Sequence, residues 1–200
     1  MKILLLNASP NKAGNTYYLL NETQKELADL GAECEIVNVH EAVSSAEWPF
    51  CICCSSPCDK RCYKGTDLEV LFNKMTDADC FVIGSPVYFG LLSAQLKALF
   101  DKSRDLRAKR AFVGKPAGVI TVGASRHGGQ ESTGGSIIDM LQVHGMTIFN
   151  NGYFKTEAGH KGVMSVRPAK EDTYIKEQIK NFAKRAFIEG KKYEYAKELV

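Results

Sequence analysis

The sequence predicts an α/β domain with a doubly wound, five-stranded parallel sheet in the order 2-1-3-4-5 and helices on both faces. Short apolar runs of strand length alternate along the chain with segments of helical periodicity. The first run, residues 3–6, is continuously apolar, which is typical of a strand buried on both faces of a parallel sheet. Because crossovers between parallel strands are right-handed, few strand orders remain, and 2-1-3-4-5 suits five strands.

The predicted elements follow one another along residues 1–200, which we expect to form a single domain. A helical stripe beginning near Thr16 ends at Gly31, and Thr66 with Glu69 predicts a capping box that opens a second helix. Further apolar runs predict strands at residues 33–39, 80–84, 118–122 and 147–150. Helical stripes predict a third helix over about 92–110, a fourth near 137–141, and a C-terminal helix at about 169–190 that residues 191–200 extend.

The composition indicates a soluble chain with a mixed surface, because the net charge is +3, 44% of residues are hydrophobic, and acids and bases are interspersed. This balance favours neither nucleic acid nor a membrane surface as a partner. No apolar run approaches membrane-spanning length, and Met1 leads directly into the first strand without a signal-peptide pattern. We therefore expect a cytoplasmic protein whose seven cysteines stay reduced.

A small polar loop joins the first strand to the first helix and predicts a site for one phosphate. The following helix N-terminus offers unpaired N–H groups and the positive end of the helix dipole. An ordinary strand-to-helix turn uses the same residue types. Since the sequence has neither a Walker pattern nor G-x-G-x-x-G, we expect a mononucleotide held without lysine or magnesium. The candidate residues are Ser9, Asn11, Gly14, Asn15 and Thr16.

Two further loops of unusual composition follow the third and fourth strands, and the predicted strand order brings all three loops to one edge of the sheet. The first offers two aromatic rings on which a planar ligand could rest, although aromatics packed in the core would give the same pattern. Its candidate residues are Ser85, Pro86, Val87, Tyr88, Phe89 and Gly90. The second is rich in small residues that let backbone approach a flat ligand closely, and its candidates are Ala124, Ser125, Arg126, Gly128 and Gly129.

These three loops, taken in order, resemble those of the NADPH-dependent FMN reductase group of flavodoxin-like proteins. The resemblance covers about residues 1–150 and is carried by Ser9-Pro10-x-x-x-Gly14-Asn15-Thr16, by residues 84–90 and by residues 128–131. It implies FMN as cofactor and NAD(P)H as co-substrate. The FMN phosphate would bind Ser9, Asn11, Asn15 and Thr16, and the isoalloxazine ring would lie against residues 86–89 and 124–129.

Five cysteines lie within the twelve positions 51–62, inside an insert at about 48–66. Cys51, Cys54, Cys58 and Cys62 have a compact spacing close to that of ferredoxin clusters. The insert resembles that of the iron–sulfur flavoproteins, a branch whose members associate as homodimers or homotetramers. That branch usually has two residues where this chain has three, between Cys54 and Cys58, and Cys53 is an additional thiol. Three interpretations stay open: a 4Fe-4S cluster, a vestigial or redox-active thiol set without metal, and zinc.

Together these features predict an FMN-dependent oxidoreductase that takes electrons from NAD(P)H and passes them to an unidentified acceptor, directly or through the cluster. No convincing acid–base pair is present, and hydride transfer to a flavin needs none, so no catalytic side chain is assigned. The alternative is a non-enzymatic electron carrier, either flavodoxin-like or an iron–sulfur flavoprotein. A third interpretation is a thiol-based redox sensor or metal-binding module on the same scaffold.

Overall fold

The structure is a computed structural model that describes residues 1–199, so the last residue of the predicted domain, Val200, lies outside the described residues. Its strands form one parallel sheet in the order β2-β1-β3-β4-β5, and a sixth strand also pairs with β4. The strands are β1 (Lys2–Asn7), β2 (Glu33–Asn38), β3 (Cys80–Pro86), β4 (Pro116–Gly123), β5 (Thr147–Ile148) and β6 (Val163–Val166). The predicted fold class and strand order are confirmed.

Helices cover both faces of the sheet, as predicted. They are α1 (Asn15–Asp29), α2 (Val39–Ser44), α3 (Asp67–Asp77), α4 (Ala94–Lys102), α5 (Arg104–Ala108), α6 (Gln130–Val143) and α7 (Ile175–Glu198). Alternate side chains of each strand enter opposite cores, because successive residues of a strand point to opposite faces. In β1, Leu4 and Leu6 pack with α2, α3, α4 and α6, whereas Ile3 and Leu5 pack with α1 and α7.

Two short strands share the outer edge of β4, where the sequence predicted one strand at 147–150 and irregular structure over 152–167. Thr147 pairs with Pro116 at the start of β4, and Val166 pairs with Gly123 at its end. Between them the chain leaves the sheet in a tight loop, in which Asn150 Nδ2 donates to Ala158 O at 2.8 Å. The divided strand extends the sheet edge up to the loop that follows β4.

The start of α3 is correctly predicted, but the predicted capping box does not form. Thr66 Oγ1 donates to Tyr63 O at 2.7 Å, and Glu69 accepts from Gly65 N at 2.8 Å. The N–H of Leu68 instead donates to Ser45 Oγ at 3.2 Å, just after α2. A residue that is distant in sequence therefore caps this helix.

Two other helices differ in the structure from their predicted bounds. The helix predicted over 92–110 is divided into α4 and α5 at Ser103, whose hydroxyl donates to Phe100 O at 2.7 Å. The C-terminal helix begins at Ile175 rather than near 169, after a short 3-10 turn, and continues to Glu198. It buries Ile179 and Phe182 against its own sheet. No described helix is both long enough and apolar enough to cross a membrane.

Candidate functional site

The loops that follow β1, β3 and β4 meet at the carboxyl edge of the sheet, where the predicted strand order placed them. They enclose a cavity of about 240 Å³, whose fourth wall is the segment just after β6. The cavity is lined by Ser9, Asn11, Gly14, Asn15, Thr16, Pro86, Val87, Tyr88, Val122, Gly123, Ala124 and Arg167. All five residues predicted for the phosphate loop are therefore brought together at one place.

The loop after β1 is held in shape by its own short side chains. Ser9 N donates to Asn7 Oδ1 at 3.2 Å, and Asn11 N donates to Ser9 Oγ at 3.1 Å. Ala13 N donates in turn to Asn11 Oδ1 at 3.1 Å. These bonds fix successive turns without using a charged group, so the loop is preformed.

The first turn of α1 opens into this loop without a side-chain cap. Gly14 is the residue before the helix, and no side chain in the described chain accepts from its first N–H groups. Thr16, in that first turn, is buried and lines the cavity. Uncapped N–H groups at a helix start carry partial positive charge, so this end of the cavity suits an anion.

The loop after β3 contains a tight hairpin turn. Tyr88 and Leu91 exchange backbone hydrogen bonds of 3.0 and 3.1 Å. The two central residues, Phe89 and Gly90, have φ of +51° and +77°, as a two-residue hairpin turn requires. Tyr88 lines the cavity, whereas the Phe89 side chain extends fully into solvent.

Ser85, at the end of β3, supports the hairpin turn from behind. It is fully buried, and its hydroxyl accepts from Ser93 N at 3.1 Å. The same hydroxyl donates to Pro86 O at 2.9 Å. Ser85 therefore lies outside the cavity lining, unlike its neighbours Pro86 and Val87.

The loop after β4 is organised by the buried side chain of Gln130. Its Nε2 donates to Ser125 O at 2.7 Å and to Ser165 O at 3.3 Å. A Cβ at Gly123 would lie 2.4 Å from the same Nε2 atom, so a larger residue there would displace the Gln130 side chain. Gly128 has no room for a Cβ either, because Ser125 O would be 2.7 Å away. Gln130 is thus a structural residue of the site.

The outer half of this loop borders a second, larger cavity of about 750 Å³. Arg126 and Gly129 line it, whereas Ala124 lines the smaller one. Gly129 has φ +95°, and a Cβ there would be 3.0 Å from Gly90 Cα and 3.4 Å from the Val87 side chain. The loops after β3 and β4 therefore touch, and the two cavities are adjacent.

Arg167 is a site residue that the sequence analysis missed. It follows β6 directly, and its N–H donates to Gly123 O at 3.0 Å. Two residues later, Ala169 N donates to Asn15 Oδ1 at 2.9 Å. Polar residues just after a parallel strand lie at the functional edge of the sheet. Arg167 would have been a candidate had residues 163–166 been recognised as a strand.

The cysteine insert lies apart from this cavity, and none of its residues lines it. Cys51, Cys58 and Cys62 are partly buried and Cys54 is exposed. Within residues 1–199 no three His, Cys, Asp or Glu side chains are arranged to hold a metal ion. The insert is anchored to α5, where Arg104 Nη1 donates to Ser55 O at 3.0 Å.

One buried cation points into the insert. Lys102 is only 2% exposed, and its Nζ donates to Cys62 Sγ at 3.5 Å. A buried ammonium is costly without an anionic partner, and a metal-bound cysteine is a thiolate. The soft sulfur ligands and this neighbouring cation suit a negatively charged iron–sulfur cluster.

The two cysteines outside the insert, Cys34 and Cys80, lie in strands β2 and β3. Burial raises the pKa of Cys34 to about 11, and it raises the pKa of the Cys80 thiol further. Cys80 is buried in the core beneath α1 and α7, and Cys34 is partly buried and packs against that core. They behave as small buried hydrophobic residues, as such thiols usually do.

The sheet order and the cavity at its carboxyl edge define a flavodoxin-like domain. The chain belongs to the NADPH-dependent FMN reductase family, whose sequence profile matches residues 1–161. An iron-sulfur flavoprotein of Methanocaldococcus jannaschii is 34% identical over 187 residues, which cover 92% of this chain and 95% of that protein. The iron-sulfur flavoprotein of Methanosarcina thermophila is also 34% identical, over 92% of this chain and 93% of its own.

The solved structures agree with this fold. A flavodoxin, WrbA-like protein from Agrobacterium tumefaciens superposes with a TM-score of 0.67 at 15% identity. The superposition covers 96% of this chain and 98% of that one. The match of the family profile confirms the resemblance inferred from the three loops, and the superposition confirms the flavodoxin-like fold.

Proposed function

We propose that this protein is an FMN-dependent oxidoreductase that takes electrons from NAD(P)H and passes them to an acceptor. The observation that carries the proposal is the uncapped first turn of α1, which opens into a preformed loop of uncharged donors. Such a site suits the phosphate of a mononucleotide. The family to which the chain belongs is described as NADPH-dependent FMN reductase.

Each wall of the site has a distinct part in holding the cofactor. Ser9, Asn11, Asn15 and Thr16 would surround the phosphate, and Pro86 with Tyr88 would lie along the ligand beyond it. Gly123 and Ala124 line the cavity after β4, and with no large side chain there a flat ring could lie against their backbone. Bound FMN supplies the hydride acceptor and the electron store. The chain needs to bind and orient two ligands, and no side chain has to move a proton.

We infer that Cys51, Cys54, Cys58 and Cys62 hold a 4Fe-4S cluster as the second redox group. The support is the soft donor set and the buried Lys102 ammonium 3.5 Å from Cys62 Sγ. Two relatives that match 92% of the chain carry the name iron-sulfur flavoprotein. Within the described residues the four thiols do not converge, so binding one cluster would require them to come closer together.

The test is an absorption spectrum of protein purified without oxygen, with flavin, iron and NAD(P)H oxidation measured on the same sample. We expect one FMN and about four irons per chain, together with bleaching of the flavin on addition of NADH or NADPH. Flavin without iron would contradict the proposed cluster and leave the proposed reductase activity standing. Flavin that neither nicotinamide reduces would identify an electron carrier instead of an enzyme. A chain that takes up no FMN on titration would overturn the proposal.

A further inference from the structure

We propose that Arg167 binds the phosphate of the cofactor and makes the site selective for FMN over riboflavin, which lacks the phosphate. This inference rests on the proposed function, because it assigns a residue to the same flavin. The side-chain donors that the sequence predicts around the phosphate are all uncharged. The structure adds a guanidinium from a strand that the sequence did not reveal.

Arg167 supplies the charge that the rest of the cavity lacks. Among the described residues that line the cavity, the others are neutral, and they include Ser9, Asn15 and Thr16 of the phosphate loop. A phosphate monoester carries close to two negative charges at neutral pH. The planar guanidinium donates two parallel N–H bonds to phosphate oxygens, a geometry that the neutral donors cannot offer.

The backbone of Arg167 is fixed between the two loops that face each other across the cavity. On one side its N–H donates to Gly123 O at 3.0 Å, continuing the register in which Val166 pairs with Gly123. On the other side Ala169 N donates to Asn15 Oδ1 at 2.9 Å, which ties the segment to the first residue of α1. The backbone of Arg167 is therefore held in a defined position beside the uncapped N-terminus of α1.

A second cation in the same region has a different partner. Lys12 lies in the loop after β1, where it forms an ion pair with Glu41 of α2. Arg167 makes no ion pair with any carboxylate in the part of the chain that the structure describes. Both side chains are exposed, so either can be neutralised with little effect on packing. Lys12 thus provides a control of equal charge and similar location.

The experiment compares the dissociation constants of FMN and riboflavin, measured by quenching of flavin fluorescence with full-length, flavin-free protein. We expect the wild type to bind FMN more tightly than riboflavin. Arg167→Gln should weaken FMN binding by about 10- to 100-fold, the range for a charge-assisted contact, and leave riboflavin binding unchanged. Lys12→Gln should leave both constants within about twofold. Arg167→Lys, which keeps the charge but loses the paired donors, should lie between wild type and Arg167→Gln.

Three results would overturn the inference, and they separate it from the proposed function. An unchanged FMN constant in Arg167→Gln would remove the residue from the phosphate site. Equal weakening of FMN and riboflavin would place its effect on the ring or on the fold of the loop, and thermal melting of the flavin-free variants would show which. A wild-type protein that binds neither flavin would refute the proposed function itself, before any variant is compared.

Discussion

We expect protonation of the buried side chain of His144 to destabilise the folded protein in mild acid. Its ring lies between Phe100 and Phe112, with centroids 5.3 and 5.4 Å away. Its Nε2 is 3.1 Å from Ser103 Oγ, and because that hydroxyl already donates to Phe100 O, the histidine nitrogen is the donor. Nδ1 has no partner within the described chain. Burial, with a smaller contribution from the charge of Arg107, lowers the pKa of His144 to about 4.

This lowered pKa predicts a loss of stability in mild acid. A histidine in the unfolded chain titrates near pH 6.5, so between this pH and about 4 the unfolded state binds more protons than the folded state. The contribution of His144 to the free energy of unfolding is therefore fully present above about pH 7 and decreases as the pH falls. We expect protonation of His144 to lower the free energy of unfolding by about 2 kcal/mol between pH 7.5 and 5.0. Urea unfolding at both pH values measures this change.

Two variants isolate this contribution. His144→Gln keeps an N–H donor for Ser103 but does not titrate, so its stability should change less between the two pH values. His160→Gln removes an exposed ring and should keep the wild-type pH dependence. Equal pH dependence in wild type and His144→Gln would show that His144 is not the acid-sensitive group.

At the scale of elements, the contact between β4 and α7 depends on the absence of a side chain. Gly118 lies in the middle of β4, and a Cβ there would be 2.3 Å from the ring of Phe149 and 2.6 Å from that of Phe182. These two rings pack with centroids 5.2 Å apart. The aromatic pair thus fills the space above the strand and couples the C-terminal helix to the sheet.

Gly118→Ala should therefore destabilise the protein by about 1–3 kcal/mol, the usual cost of overpacking a core. The matched control is Gly135→Ala in α6, where the new Cβ would meet only Lys161 Nζ, at 3.5 Å. Alanine favours a helix interior, so this control should be neutral or stabilising by up to about 1 kcal/mol. Urea unfolding of both variants tests the contrast, and equal effects would contradict it.

A comparison of the predicted with the observed strands and helices shows which of them local sequence patterns determine. The four long strands and most helices were predicted because their apolar patterns are local. The cap of α3 was not, because Ser45 reaches Leu68 from another helix. The division of the fifth strand was missed because β5 and β6 are short and owe their place to pairing with β4. Arg167 was missed for the same reason, whereas the other site loops follow strands that were recognised.

Inside the recognised loops, sequence alone could not decide which way each side chain points. Thr16 and Ser85 are both small, buried hydroxyl residues next to a strand or helix end. Thr16 lines the cavity, whereas the Ser85 hydroxyl accepts a hydrogen bond from Ser93 N and donates one to Pro86 O. That difference arises from tertiary packing at the β3 edge, which no local pattern encodes.

At the scale of the molecule, the cavity and the cysteine insert are separate units on one scaffold. The cavity is built from loops at the carboxyl edge of the sheet, and none of residues 48–66 lines it. The insert is attached elsewhere: Glu47 N donates to Cys62 O at 2.9 Å, and Lys60 lies 3.4 Å from Asp105 of α5. Changes in one unit should therefore leave the other intact.

Replacing Cys51, Cys54, Cys58 and Cys62 by alanine should abolish iron binding and leave the FMN dissociation constant within about twofold of wild type, since sites without shared partners act independently. Iron analysis and flavin titration of the same preparation test both expectations. Cys53→Ala, which removes the exposed additional thiol, is the control and should keep its iron. A large loss of FMN affinity in the fourfold variant would show that the two units are coupled.

The divided fifth strand has a further consequence, for self-association. An open sheet risks polymerisation through its edges, where unpaired backbone groups invite another chain. Here one edge consists of β5 and β6, two and four residues long, with a loop leaving the sheet between them. The opposite edge is β2, six residues long, which carries the exposed charged residues Glu33 and Glu35, the second of them paired with Lys74 of α3. Neither edge offers a long, uncharged template, and short or charged edges disfavour the addition of a strand from another chain.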